Sequence, residues 1–168
     1  MHPRWQDLLA YQRDLLNQIE SELPAEYLPA PNLVMRAFES DPADQRVVII
    51  GQDPYPTPGH AVGLAFAVAA GTPLPRSLSN MMKELRADLA EDLTTGLFTT
   101  DGDLLRWAEQ GVLLLNRELT LPGNKLWQQF TDAALRALVE LKQGSLVVIL
   151  WGNYAAKAAD AAAGASVI

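Results

Sequence analysis

Asp53, Tyr55, Phe66 and Asn116 are the residues of this chain best suited to chemistry on a flat, polar ring. The first three lie in one stretch, GQDPYPTPGHAVGLAF, residues 51–66, stiffened by Pro54, Pro56 and Pro58 and by Gly51, Gly59 and Gly63. Such stiffness suits groups that must be held in place before a reaction starts. Asp53 is an acceptor-only carboxylate, and Tyr55 and Phe66 offer flat faces. Asn116 carries a donor and an acceptor side by side, a pattern that reads an amide-like edge such as the N3–H and O4 of a pyrimidine. Together they describe a pocket for a base drawn out of its stack. The carboxylate would position a water or stabilise positive charge developing on a sugar, as carboxylates do in glycoside cleavage.

Each residue also has an ordinary reading. An Asp before a Pro is commonly a turn residue. Asn116 could simply end a strand, and Phe66 could be core. The WGN at 151–153 could open a helix, with Asn153 capping it and Trp151 buried. What favours chemistry is that all of them fall at one edge of the fold the chain predicts.

That fold follows from the apolar pattern. RVVII, VLLLN and SLVVILWG are unbroken apolar runs, and ASVI begins a fourth. Continuous rather than alternating runs mark strands buried on both faces. Between them lie helical segments: SLSNMMKELRADL, with Ser77 or Ser79 as N-cap, and DGDLLRWAEQG, starting at Asp101 or Asp103 and closed by Gly111. LWQQFTDAALRALVELKQG and the alanine-rich NYAAKAADAAAG follow. A further helix over RWQDLLAYQRDLLNQIESEL is stopped by Pro24. The alternation predicts an α/β fold, three-layer α/β/α around a mainly parallel four-stranded sheet. In such sheets ligands bind at the carboxyl ends of the strands. GQDPY, Asn116 and WGN all follow strands there.

The 168 residues are 49% apolar and contain no cysteine, which fits one globular domain in a reducing, cytoplasmic setting. No run approaches the roughly 18 apolar residues of a membrane span, and the charged N-terminal helix is no secretory signal. A net charge of −7 and a pI near 4.7 weigh mildly against a nucleic-acid partner without excluding one. There are no repeats and no linker, and no glycine-rich phosphate fingerprint supports a generic nucleotide-binding domain.

GQDPYPTPGHAVGLAFAV resembles the water-activating motif of family 1 uracil-DNA glycosylases. PLPRSLSNMMKEL resembles that family's proline-rich loop and following helix, GDLLRWAEQGVLLLN its segment ending in the uracil-reading asparagine, and LWGNYAAK its Gly-Ser loop. The likeness runs in order from about Leu33 to the last residue. It implies hydrolysis of the N-glycosidic bond of uracil in DNA, with Asp53 positioning the water and stabilising the sugar cation. Tyr55 would exclude the C5 methyl of thymine, Phe66 would stack on uracil, Asn116 would bind its edge and Gln52 would help through its main-chain amide. Ser77, Gly152 and Asn153 would hold DNA phosphates. The resemblance implies no metal or cofactor, and a monomer acting on single- or double-stranded uracil-containing DNA.

Three departures accompany the likeness. Pro56 and Thr57 replace the usual His-Gly after GQDPY. The loop over Leu121–Leu126 is shorter than the family's; Trp127 is kept and a histidine is lost. The family's His-Pro-Ser-Pro-Leu motif is not present after ASVI, so residues 1–168 are expected to form a single domain that is C-terminally incomplete. Losing one preorganised oxyanion stabiliser typically costs about 10²–10³ in rate. Weak or absent activity is therefore expected, and the alternative is a non-catalytic remnant that binds uracil or DNA. His60 is not expected to substitute for the missing histidine.

Overall fold

A computed structural model describes residues 1–88 and 102–168. The expected parallel sheet is present. Strands β1 (Val47–Gly51), β2 (Val112–Asn116), β3 (Val147–Leu150) and β4 (Ser166–Val167) lie in the order β2-β1-β3-β4, all parallel. β1 carries the register for the rest: Ile50 is level with Leu115 and Leu150, and Gly51 is level with Asn116. From β1 the chain steps to one side to form β2, then returns past β1 to form β3. The carboxyl ends of β1 and β3 are therefore a topological switch point, where an open α/β sheet leaves a crevice.

The N-terminal segment departs from the expected single helix. It forms α1 (Pro3–Leu8), a 3₁₀ turn at Ala10–Gln12, and α2 (Arg13–Glu22). On one straight helix, at 100° per residue, Ile19 would sit about 80° from the line of Leu9. The turn resets the phase, so Trp5, Leu9 and Ile19 are all buried. Trp5 packs edge-on against Phe38 (5.2 Å), Phe38 against Phe130 (5.6 Å), and Phe130 against Trp127 (6.0 Å). Trp127 is thus a core residue, and its indole N–H donates to Thr120 Oγ1 at 2.9 Å.

α3 (Arg76–Asp88) starts earlier than expected. Ser77 and Ser79 are both inside it, and Ser79 N–H donates to Pro75 O, so neither is the N-cap. Leu89 and Asp101 lie outside the described residues. α4 (Leu105–Glu109) begins where Leu105 N–H donates to Asp103 Oδ1, and Gly111 closes it with φ +86°. α5 (Leu126–Lys142) is the long helix the pattern predicts. The alanine-rich segment is a second correction. Only α6 (Gly152–Ala155) is α-helical, and Ala156–Ala162 winds as a 3₁₀ helix. Three residues per turn stack Ala158 and Ala161, both buried, on one line toward α5 and β3.

Candidate active site at the carboxyl edge of the sheet

Asn116 ends β2 with its side chain folded over β1. A Cβ added at Gly51 would fall 2.1 Å from Asn116 Oδ1 and 2.9 Å from the Ala65 Cβ. Glycine at 51 is what lets the Asn116 amide lie against β1, two residues before Asp53. Asn116 is 8% exposed, with most of its side chain packed against β1.

The loop after β1 is fixed by its own backbone. Ala61 and Val68 form an isolated antiparallel bridge, and Ala69 N–H donates to His60 O. Gly63 has φ +78°, and a Cβ there would meet Leu33 O at 1.9 Å, so the loop can press against that carbonyl only with glycine. Phe66 has φ +65°, a left-handed conformation that a bulky residue reaches at a cost of about 1–3 kcal/mol. The strain is held from several sides. Ala65 N–H donates to Leu114 O at 3.0 Å, and the Tyr55 hydroxyl donates to Phe66 O at 3.0 Å. Burial pushes the Tyr55 hydroxyl up to about 12, so it remains a donor throughout the working pH range.

Asp53 is half-buried in this loop. Burial raises its carboxyl above the ordinary aspartate range; a hydrogen bond from Gln52 Nε2 at 3.3 Å to Oδ2 opposes the rise, and the charge of Glu118 adds to it. Gln52 is itself exposed, and its carbonyl accepts from Glu118 N–H at 3.0 Å.

β3 supplies the facing wall. Trp151 is 48% exposed, which removes the buried-Trp reading of WGN, and it meets Phe66 edge-on at 6.0 Å. Asn153 does not cap: Trp151 occupies the capping position, and Gly152 (φ +87°) and Asn153 open α6, both exposed. Phe66 is partly exposed rather than fully core, and Asn116 does more than stop a strand. The structure thus brings Gln52, Asp53, Tyr55, Phe66 and Asn116 together, with Gly152 and Asn153 just past the Trp151 that touches Phe66. Ser77 stands apart from them in sequence, exposed in the first turn of α3.

Residue-level reading missed a second polar cluster beside this one. Glu118, Tyr154, Gln128, Arg117 and Asp132 are linked by hydrogen bonds and ring contacts. The signal for it was the charged RE in LLLNRELT, an acid two residues past the strand end. Among the described residues, no group of three His, Asp or Glu could hold a metal ion, and no helix is long and apolar enough to cross a membrane.

A parallel α/β sheet that gathers a carboxylate, an amide and two aromatics at its carboxyl edge defines a ligand-binding α/β protein of the open-sheet class. Comparison with known proteins narrows it. The model of the uracil DNA glycosylase superfamily matches residues 38–167. The uracil-DNA glycosylase of Mycobacteroides abscessus is 46% identical over 168 residues, spanning 92% of this chain and 72% of the relative. That of Mycolicibacterium smegmatis is 53% identical over 140 residues, 78% of this chain and 59% of the relative. The crystal structure of mimivirus uracil-DNA glycosylase superposes with a TM-score of 0.84 at 26% identity, covering 100% of this chain and 67% of that one. The chain belongs to the uracil DNA glycosylase superfamily, and it spans roughly three-fifths to three-quarters of the length of these relatives.

Proposed function

We propose that this chain excises uracil from DNA by hydrolysing the N-glycosidic bond, leaving an abasic site for base excision repair. The observation that carries the reading is the register of β1 and β2, which sets the Asn116 amide over Gly51, two residues before Asp53. A uracil flipped from the strand would be read at its N3–H and O4 edge by Asn116 and stacked on Phe66. Tyr55, tied by its hydroxyl to Phe66 O, would fill the space a C5 methyl requires.

Asp53 is suited to the reaction because its carboxylate is partly desolvated and shares one oxygen with Gln52. The other oxygen is left for a water. In the step proposed, the water oxygen bonds to the sugar C1′ and the C1′–N1 bond breaks. Its electron pair leaves on the uracil ring, and the water's proton passes to Asp53. The carboxylate charge also stabilises the sugar cation that forms on the way. Ser77, the exposed Gly152 amide and Asn153 would hold flanking phosphates. The chain would act as a cytoplasmic monomer on single- or double-stranded DNA, without metal or cofactor.

The test is release of free base from two oligonucleotides that differ at one position, uracil or thymine. Uracil release without thymine release is expected. Binding of the uracil strand with no release of uracil would replace this reading with a non-catalytic one.

A further inference from the structure

Glu118 has no part in the chemistry assigned above, yet it is built into the wall beside it. Arg117 N–H donates to Gly51 O and Glu118 N–H to Gln52 O, each at 3.0 Å. The β1–β2 pairing therefore runs two residues past the sheet and carries Glu118 alongside the segment that holds Asp53. The side chain then leads to two other elements. Glu118 Oε1 accepts from the Tyr154 hydroxyl on α6 and from Gln128 Nε2 on α5 at 2.8 Å. Gln128 Nε2 also lies 2.9 Å from the Tyr154 oxygen. The second carboxylate oxygen lies against Gly123, where an added Cβ would fall 1.7 Å from it.

The charges around this junction are arranged unevenly. Arg117 is taken up by Asp132, with contacts of 2.7 and 2.9 Å. The Arg117 guanidinium and Lys157 Nζ sit 5.9 and 5.2 Å from the Tyr154 ring centre. Among the described residues, no basic side chain is within ion-pair distance of the Glu118 carboxylate. Its direct partners are a phenol and an amide, both neutral, so its negative charge is oriented but not cancelled. Asp53 feels that charge, and the Tyr154 hydroxyl is pushed up to about 12 by burial first and by Glu118 second.

We propose that Glu118 is a positioning residue that locks the segment after β2 to the start of α6 and holds a second, uncancelled carboxylate beside Asp53, where positive charge on the sugar would form. This role rests on the reading of Asp53 given above. Around Asp53 the groups in play are Gln52 from its own loop, Glu118 from the segment after β2, and Tyr154 from α6.

Glu118→Gln keeps an acceptor for Tyr154 and removes the charge, so it separates the field from the fold. The Asp53 carboxyl-carbon NMR signal is titrated in the wild type and in this variant, with uracil release measured on the same samples. The Asp53 midpoint is expected to move to lower pH in Glu118→Gln. The acid limb of kcat/KM moves the same way, and kcat falls about tenfold with little change in KM, less than the 10²–10³ of a direct oxyanion donor. Gly123→Ala, which crowds the carboxylate without changing charge, is expected to lower kcat while Asp53 titrates nearly as before. An Asp53 midpoint unmoved by Glu118→Gln overturns the proposal. Failure of the wild type to release uracil would count against the proposed function, and the NMR titration would still decide whether Glu118 acts on Asp53.

Discussion

The two walls of the site are built by different means. The wall after β1 is made by backbone: prolines, a bridge between Ala61 and Val68, the strained Phe66 and a Tyr55 hydroxyl bound to a main-chain carbonyl. Most of what shapes it lies within one loop, braced from outside by main-chain carbonyls of Leu114 and Leu33. The wall after β2 and β3 is made by side chains, with Glu118, Gln128 and Tyr154 drawn from three separate segments onto one carboxylate oxygen. A backbone-built wall has few ways to relax, and a side-chain network can re-pair or admit water. Substitutions in the first wall should therefore act through geometry, with large effects, and those in the second through charge and local order, with smaller ones.

Among substitutions in the two walls, the largest effect is expected from Gly51→Ala. The new Cβ falls 2.1 Å from Asn116 Oδ1 and displaces the amide proposed to read the base. A misplacement of about 1 Å can cost 10²-fold in rate, so kcat/KM for uracil release should fall about a hundredfold or more while the protein stays folded. A Gly51→Ala enzyme with near wild-type kcat/KM would remove Asn116 from the site. Next is Phe66→Ala, which should cost about 1–3 kcal/mol of base stacking, read as a rise in KM. Gly63→Ala follows. With φ +78° and Leu33 O at 1.9 Å, it should lose more than about 1 kcal/mol of stability in urea unfolding, and activity with it. In the side-chain wall, Tyr154→Phe removes one donor to a carboxylate and should cost about 1 kcal/mol of stability.

The smallest effect tests the sign of the Asp53 shift. Its pKa is raised in the folded protein, so the fold binds its proton more tightly than the unfolded chain does. Stability then falls as pH rises from the ordinary aspartate range through the raised value, and the deficit stays constant above it. Asp53→Asn should raise Tm slightly at pH 7, and the gain should shrink as pH drops through that window. A Tm lowered at pH 7 would mean that the carboxylate is stabilised by partners the geometry does not show.

The same contrast explains what the sequence made legible. Asp53, Tyr55 and Phe66 sit in one short motif after an apolar run, and Asn116 ends another, so the ends of the predicted parallel strands place them at one edge. Glu118 and Tyr154 are 36 residues apart, and no periodicity links them. Only the paired backbones of Gly51–Gln52 and Arg117–Glu118 bring the acid to the site. The parallel sheet followed from unbroken apolar runs. The break at Ala10–Gln12 and the 3₁₀ winding of Ala156–Ala162 did not, because both are set by which residues the core accepts. Ser77 looked like a cap because serine favours caps, but the helix starts at Arg76 and leaves it inside the first turn.

The most direct test of the central claim is the single-turnover rate of uracil release from a uracil-containing oligonucleotide, wild type against Asp53→Asn. Measurable release by the wild type and a loss of about 10²–10⁴-fold in the variant are expected, with both proteins equally folded and both still binding the oligonucleotide. Equal release by the two proteins would contradict the claim, because hydrolysis would then proceed without the carboxylate proposed to position the water.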